Sequence, residues 1–264
     1  MRTTAIFNLK GGVAKTTTTI NLAAVLARDY GQRVLLIDAD SQANLTEFMQ
    51  DPKAKMLPSK HEGLADLLKG FQVPVRETKL LGVRMLPATD DLMDLDVTKA
   101  GTGEADVMAL AEFLQERENR YDTVLIDCPP AFSAAAMAAL IAADDVIIPV
   151  KLDAFSVRGL ANMMHQVACM KKVNTGLEIA GVLPTMWYKC KVTEIAEVGL
   201  KSSGLTIFPH IYRSGKSVDT STFKQRPLIF SAPNCKACQD YRKLARHYLA
   251  GPNGDLALAE GGAV

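Results

Sequence analysis

The chain begins with Thr3-Thr4-Ala5-Ile6-Phe7-Asn8-Leu9, a β-branched and apolar run, and passes directly into Lys10-Gly11-Gly12-Val13-Ala14-Lys15-Thr16-Thr17. A helix-compatible segment, Thr18 to Tyr30, follows at once. Strand, glycine loop and helix start, in that order, free backbone N–H groups that point inward and can hold phosphate oxygens. The helix dipole adds to that pull, Lys15 supplies a point charge, and the Thr16 hydroxyl can bind Mg²⁺. This order of elements predicts a nucleoside triphosphate site at the mouth of an α/β sheet.

At 264 residues and 48% hydrophobic, the chain can bury a large core as one domain. No run of about 18 apolar residues exists, which argues against a transmembrane helix. The first residues enter a strand directly, leaving no room for a signal peptide. Five cysteines (Cys128, Cys169, Cys190, Cys235, Cys238) do not form a secreted disulfide framework, so reduced thiols in a cytosol are expected. The net charge of +1 hides an asymmetry. Residues 185–250 hold eleven Lys/Arg against four Asp/Glu, a balance of +7 that leaves −6 for the rest. A basic C-terminal quarter on an otherwise acidic chain points to a polyanionic partner.

Apolar runs bounded by turn residues alternate with helix-period segments. Strands are expected at Ala5–Asn8, Val34–Asp38, Val83–Pro87, Thr123–Asp127, Val146–Val150, Ile179–Pro184 and Thr206–Phe208. Helices are expected at Thr16–Tyr30, Leu64–Lys69, Glu104–Glu118, Ser133–Ala143, Val157–Val173, Thr193–Ser202 and Ala237–Leu249. Short Val/Ile/Leu strands alternating with helices imply a single α/β domain with a mostly parallel, twisted sheet covered by helices on both faces. Residues 1–250 should form that domain, and 251–264, small and Gly-rich, a flexible tail. The insert from Asp51 to Lys60 has no assignable role.

The loop departs from the common G-x-x-x-x-G-K-[ST] pattern, with Leu9 and Ala14 where glycines would stand and a second lysine, Lys10, five residues before Lys15. It resembles the deviant Walker A loop of the ParA/MinD family of P-loop ATPases. That resemblance assigns ATP contacts to Lys10, Gly11, Gly12, Val13, Ala14, Lys15, Thr16 and Thr17. It also implies that Lys10 reaches the phosphates of a partner subunit, making ATP the glue of a homodimer. The family usually carries glycine where Ala14 sits; alanine suits that position as long as its backbone is right-handed.

Two further strands end in acids at the edge where ligands bind in open parallel sheets. Val34-Leu35-Leu36-Ile37-Asp38-Ala39-Asp40-Ser41-Gln42-Ala43-Asn44 is similar to the family's Asp-x-Asp-Pro-Gln-Gly-Asn motif, with Ser41 and Ala43 in place of proline and glycine. By that match Asp40 orients the attacking water and Asp38 supports the Mg²⁺ shell. Thr123-Val124-Leu125-Ile126-Asp127-Cys128-Pro129-Pro130 resembles the Walker B strand, with Asp127 holding Mg²⁺ through water. Lys10, Lys15 and Asp40 are thus the expected catalytic residues, and Thr16, Asp38 and Asp127 the metal residues. Phosphoryl transfer depends mostly on positioning and electrostatics, which is why carboxylate placement matters. The resemblance also puts the base against Thr185, Met186, Pro209 and Ile211.

The segment Ile211–Asp219 resembles the region of ParA proteins that carries DNA-binding arginines, with Arg213 and Lys216 on the two basic positions. Lys189 and Lys191 extend that patch. Cations without a recognition helix grip phosphates and read no sequence. The family resemblance, nearest to the shorter Soj type, implies nonspecific double-stranded DNA and a ParB-like centromere-binding protein as partners. It further implies a cytoplasmic, nucleoid-associated location and no membrane. Cys235-x-x-Cys238 is a lone pair without a second pair near it. His61, His165, His210 and His247 lack metal-ligand spacing.

Overall fold

The computed structural model describes residues 1–51, 61–95, 105–153 and 156–251; side chains of 156–161 are not described. Seven strands form one sheet: β1 (Arg2–Ile6), β2 (Val34–Asp38), β3 (Arg76–Glu77), β4 (Val83–Leu86), β5 (Thr123–Asp127), β6 (Asp145–Lys151) and β7 (Glu178–Thr185). Their spatial order is β3-β4-β2-β5-β1-β6-β7. Every pairing is parallel except that of β3 with β4. The helices are α1 (Lys15–Tyr30), α2 (Asn44–Met49), α3 (Leu64–Leu68), α4 (Ala109–Gln115), α5 (Ala134–Ala142) and α6 (Ser156–Met170). They continue with α7 (Lys191–Lys201), α8 (Gly215–Phe223), α9 (Leu228–Ser231) and α10 (Lys236–Ala250).

The central strands are buried on both faces, and their side chains divide with period two. Ile6, Leu36, Leu125 and Ile147 join one core, roofed by α1, α2, α9 and α10. Ala5, Ile37, Ile126 and Ile148 join the other, roofed by α3, α4, α5 and α6. The Ala-rich α5 (AAAMAALIA) lets its backbone lie close to the sheet. α10 sits across α1, with Tyr241, Leu244 and Tyr248 all buried. Each such side chain contributes roughly 1.5–3 kcal/mol through its removal from water. The α10 start is capped by Cys235, whose Sγ accepts from the Cys238 N–H at 3.4 Å. The Cys-x-x-Cys pair thus serves as a helix cap.

Most expected elements form where periodicity placed them, and β2 and β5 match in extent. Three differ. Thr206–Phe208 does not become a full strand: it meets β7 through one bridge, Ile207 against Val182, and Pro209 then ends the run without an N–H to donate. Of the helix expected from Glu104 to Glu118, α4 covers Ala109–Gln115, and Glu104 lies outside the described residues. Helices α2, α8 and α9 and the small strand β3 carry too few periodic apolar positions to stand out in the sequence. Residues 52–60 of the insert and 252–264 of the expected tail also lie outside the described residues. Among the described residues, no helix is long and apolar enough to cross a membrane.

Candidate functional site

The parallel register sets the site. Asp38 and Asp127 are paired across β2 and β5, and Ile6 at the end of β1 pairs with Asp127 from the other side. The glycine loop between β1 and α1 therefore rises beside both acids. α1 begins without a side-chain cap and without an acid in its first turn. Its leading N–H groups and positive dipole end are left for an anion.

The two loop lysines have different surroundings. Lys15 is buried, and its Nζ donates to the Lys10 carbonyl at 3.3 Å, folding back over the loop. Burial lowers its pKa, while the Asp127 carboxylate pulls the other way. Lys10 is far more open: its side chain is 43% exposed, and Nζ lies 2.6 Å from Asp153 Oδ2 just beyond β6. Sequence reading had no signal for Asp153, which comes from 143 residues away in the chain.

The acids are arranged unequally. Asp38 is fully buried; its Oδ2 accepts from Thr46 N and Thr46 Oγ1, both at 2.8 Å, and its Oδ1 accepts from Asp40 N at 3.2 Å. Burial raises its pKa to about 6 against those hydrogen bonds. Asp127 is also buried. One oxygen faces Thr19 Oγ1 at 3.4 Å, while Oδ2 has no hydrogen-bond partner. Burial, then the neighbouring Asp38, pushes its pKa well above the usual carboxylate range. A buried carboxylate oxygen without a partner is costly unless something binds it. A hard cation with oxygen ligands fits here, beside the Thr16 hydroxyl that also contacts Asp127. Among the described residues, no group of three His, Cys, Asp or Glu side chains is arranged to hold a metal. A Mg²⁺ here would therefore need phosphate oxygens as well, as is usual for that ion. Asp40 is only partly buried and its Oδ1 accepts from Gln42 N at 3.0 Å, holding it at the loop tip.

Ala14 overturns an expectation. Its backbone is left-handed, φ 67° and ψ 34°, so the position does require positive φ. Ala43, the other alanine at a family glycine position, is left-handed too, at φ 51° and ψ 28°. Both helices that border the phosphate site thus begin from strained alanines.

A cavity of about 240 Å³ opens beside the loop, lined by Ala14, Thr17, Thr185, Met186 and Ile211, with Tyr212, Arg213, Gly215, Val218, Asp219 and Tyr241. Thr185, Met186 and Ile211 line this cavity, whereas Pro209 is not among the lining residues. The Thr185 hydroxyl donates to Val13 O at 3.0 Å, which ties β7 to the loop and leaves it less free for a ligand. The wall from α10, Tyr241, belongs to no motif, and Gly215, Val218 and Asp219 of α8 come from the Ile211–Asp219 segment; packing makes them neighbours of the loop.

The basic residues also converge. Arg213 N donates to Trp187 O at 2.7 Å, and Tyr212 pairs with Trp187, so the two segments run side by side. Lys189, Lys191, Arg213 and Lys216 are all exposed there. Lys236 joins them, its ammonium 4.1 Å from the Tyr212 ring centre, a cation that sequence reading did not single out.

Comparison with known proteins agrees with this geometry. A family profile described as an AAA domain matches residues 1–179. The chromosome-partitioning ATPase Soj of Thermus thermophilus is 34% identical over 95% of the chain and 96% of its own length. This chain belongs to the ParA/MinD family of ATPases. Within the family it is Soj-like: the sporulation initiation inhibitor protein Soj of Bacillus subtilis is 37% identical over 93% of the chain and 97% of that protein. The family fold extends to a solved cobyrinic acid a,c-diamide synthase from Mycobacterium smegmatis with bound ADP and magnesium. That structure superposes with a TM-score of 0.77 at 28% identity, covering 95% of this chain and 94% of that one.

Proposed function

We propose that this protein is an ATP-dependent dimerising ATPase that binds nonspecific double-stranded DNA and drives plasmid or chromosome partition with a ParB-like partner. ATP and Mg²⁺ are its cofactors. Phosphates sit on the N–H groups of Gly11, Gly12, Val13, Ala14, Lys15, Thr16 and Thr17, with Lys15 as the charge in cis. Thr16, Asp38 and Asp127 hold the Mg²⁺ shell, and bound Mg²⁺ neutralises charge on the phosphates. Asp40 orients the water that attacks the terminal phosphate, giving ADP and phosphate. Thr185, Met186 and Ile211 surround the base.

The observation that carries dimerisation is the openness of Lys10 beside a buried Lys15. One lysine is enclosed with its own site, and the other is presented outward at its rim. A half-exposed ion pair such as Lys10–Asp153 is worth about 0–1 kcal/mol, so Lys10 can leave it for a partner's phosphate. Two weak basic edges, each with Lys189, Lys191, Arg213 and Lys216, then act as one stronger site. The family relatives named as partition proteins support this reading over a metabolic one, for which the shared fold alone would serve equally well.

The test is binding to random-sequence duplex DNA with ATP against ADP across a salt series. Binding that needs ATP and falls steeply with salt is expected. Absence of binding at low salt with ATP would refute the DNA role while leaving the nucleotide site standing.

A further inference from the structure

At the end of the sheet away from the phosphate loop lies a separate groove of about 880 Å³. It runs past Gly31–Arg33, which precede β2, and Leu80–Gly82, which precede β4, and is closed by Lys224–Pro227 between α8 and α9. Five cations line it (Arg28, Arg33, Lys79, Lys224, Arg226), and no carboxylate is among its lining residues. Arg33 is paired with Asp122, and Arg28 lies over Phe230 and donates to Ile229 O at 2.6 Å. Lys224 and Arg226 are exposed and make no ion pair among the described residues.

The floor is apolar, from Ala27, Leu80, Pro227 and Phe230. Leu81 on the wall is 99% exposed, and Phe223, directly before Lys224, is 89% exposed. No other large apolar side chains among the described residues are as open as these two. Apolar side chains left in water beside unpaired cations mark an interaction surface.

We propose that this groove docks an acidic segment of a partner protein that carries apolar side chains at helical spacing. Charge complementarity selects an acidic occupant, and the apolar floor with Leu81 and Phe223 selects one that also buries hydrocarbon. Duplex DNA fits less well, because it would set those two side chains against hydrated phosphates. A bilayer is flat and leaves a concave floor unfilled. The groove lies apart from the nucleotide loop, yet α8 spans the distance, with Gly215, Val218 and Asp219 on the base cavity and Lys224 just past its other end.

The test is a display library of random 12-residue peptides panned against the full chain, with enriched sequences resynthesised carrying fluorescein and titrated by anisotropy. Enriched peptides should bear Asp and Glu with Leu or Phe three and four residues apart. Their affinity should fall at least tenfold in Lys224→Glu/Arg226→Glu and in Leu81→Ser. Nucleotide binding by these variants reports that they remain folded, and peptide-dependent protection of residues 79–82 and 224–230 in hydrogen exchange locates the contact. Enrichment of neutral or basic sequences, or affinity indifferent to the charge reversal, overturns the proposal. So does loss of binding to random duplex DNA or phosphatidylglycerol vesicles in the same double variant when no peptide binds.

Discussion

Ala14 stands where the phosphate loop turns into α1, at φ 67° and ψ 34°. For an L-residue this conformation costs roughly 1–2 kcal/mol relative to right-handed backbone. Glycine enters it without that strain but loses about 0.5–1 kcal/mol more backbone entropy on folding. The difference favours Ala14→Gly by about 0.5–1 kcal/mol, which for a chain of this length raises Tm by about 1–4 °C. Valine at the same position should be worse than alanine, because a β-branched residue at positive φ is a severe outlier. The assay is urea unfolding of the parent, Ala14→Gly and Ala14→Val proteins without nucleotide, reading the midpoint at constant m. The midpoints should rank glycine above alanine above valine. A midpoint that falls or stays level in Ala14→Gly, or an Ala14→Val protein as stable as the parent, would refute the argument from left-handed strain.

Ala43→Gly should give a gain of similar size by the same reasoning, since its φ is 51°. Asp38 and Asp127 have raised pKa values in the fold, so the native state holds protons there that the unfolded chain has released. Stability without Mg²⁺ should therefore fall as pH rises above about 4, with Asp38 contributing up to about 6 and Asp127 extending the fall beyond its ordinary range, and thermal melts with Mg²⁺ and ATP should show a shallower fall. Lys10→Ala should abolish ATP-dependent dimerisation while leaving the fold intact; light scattering that still finds an ATP-dependent dimer would remove Lys10 from that role. Tyr248→Phe deletes a buried hydroxyl contact with Thr4 at 3.0 Å and should cost about 1 kcal/mol in urea unfolding.

Much of this protein is legible from local pattern. The Val34–Asp38 and Thr123–Asp127 runs are apolar, bounded by turn residues and of strand length, so their identity needs nothing beyond five neighbouring residues. The glycine loop is equally local, since a strand end, two glycines and a helix start lie within one stretch of chain. Helices α8 and α9 were not legible, because α8 is largely polar and α9 is a single turn of four residues, and both take their stability from tertiary packing. The basic residues 189–216 were legible as an excess of charge, but their convergence was not. That needed the pairing of Trp187 with Tyr212, a contact between segments joined by a whole helix and loop.

The amino-acid order alone determined the sheet class, the phosphate loop and the two acids at strand ends, because strand period, glycine placement and chain reversal act over a few residues. Tertiary structure decided which of those acids has an unpartnered oxygen, where Lys10 rests, that Ala14 and Ala43 are left-handed, and which side chains wall the cavity beside the loop. The setting of Asp127 and the resting place of Lys10 depend on register between β2 and β5 and on contacts across more than a hundred residues, and no short window of sequence contains both partners.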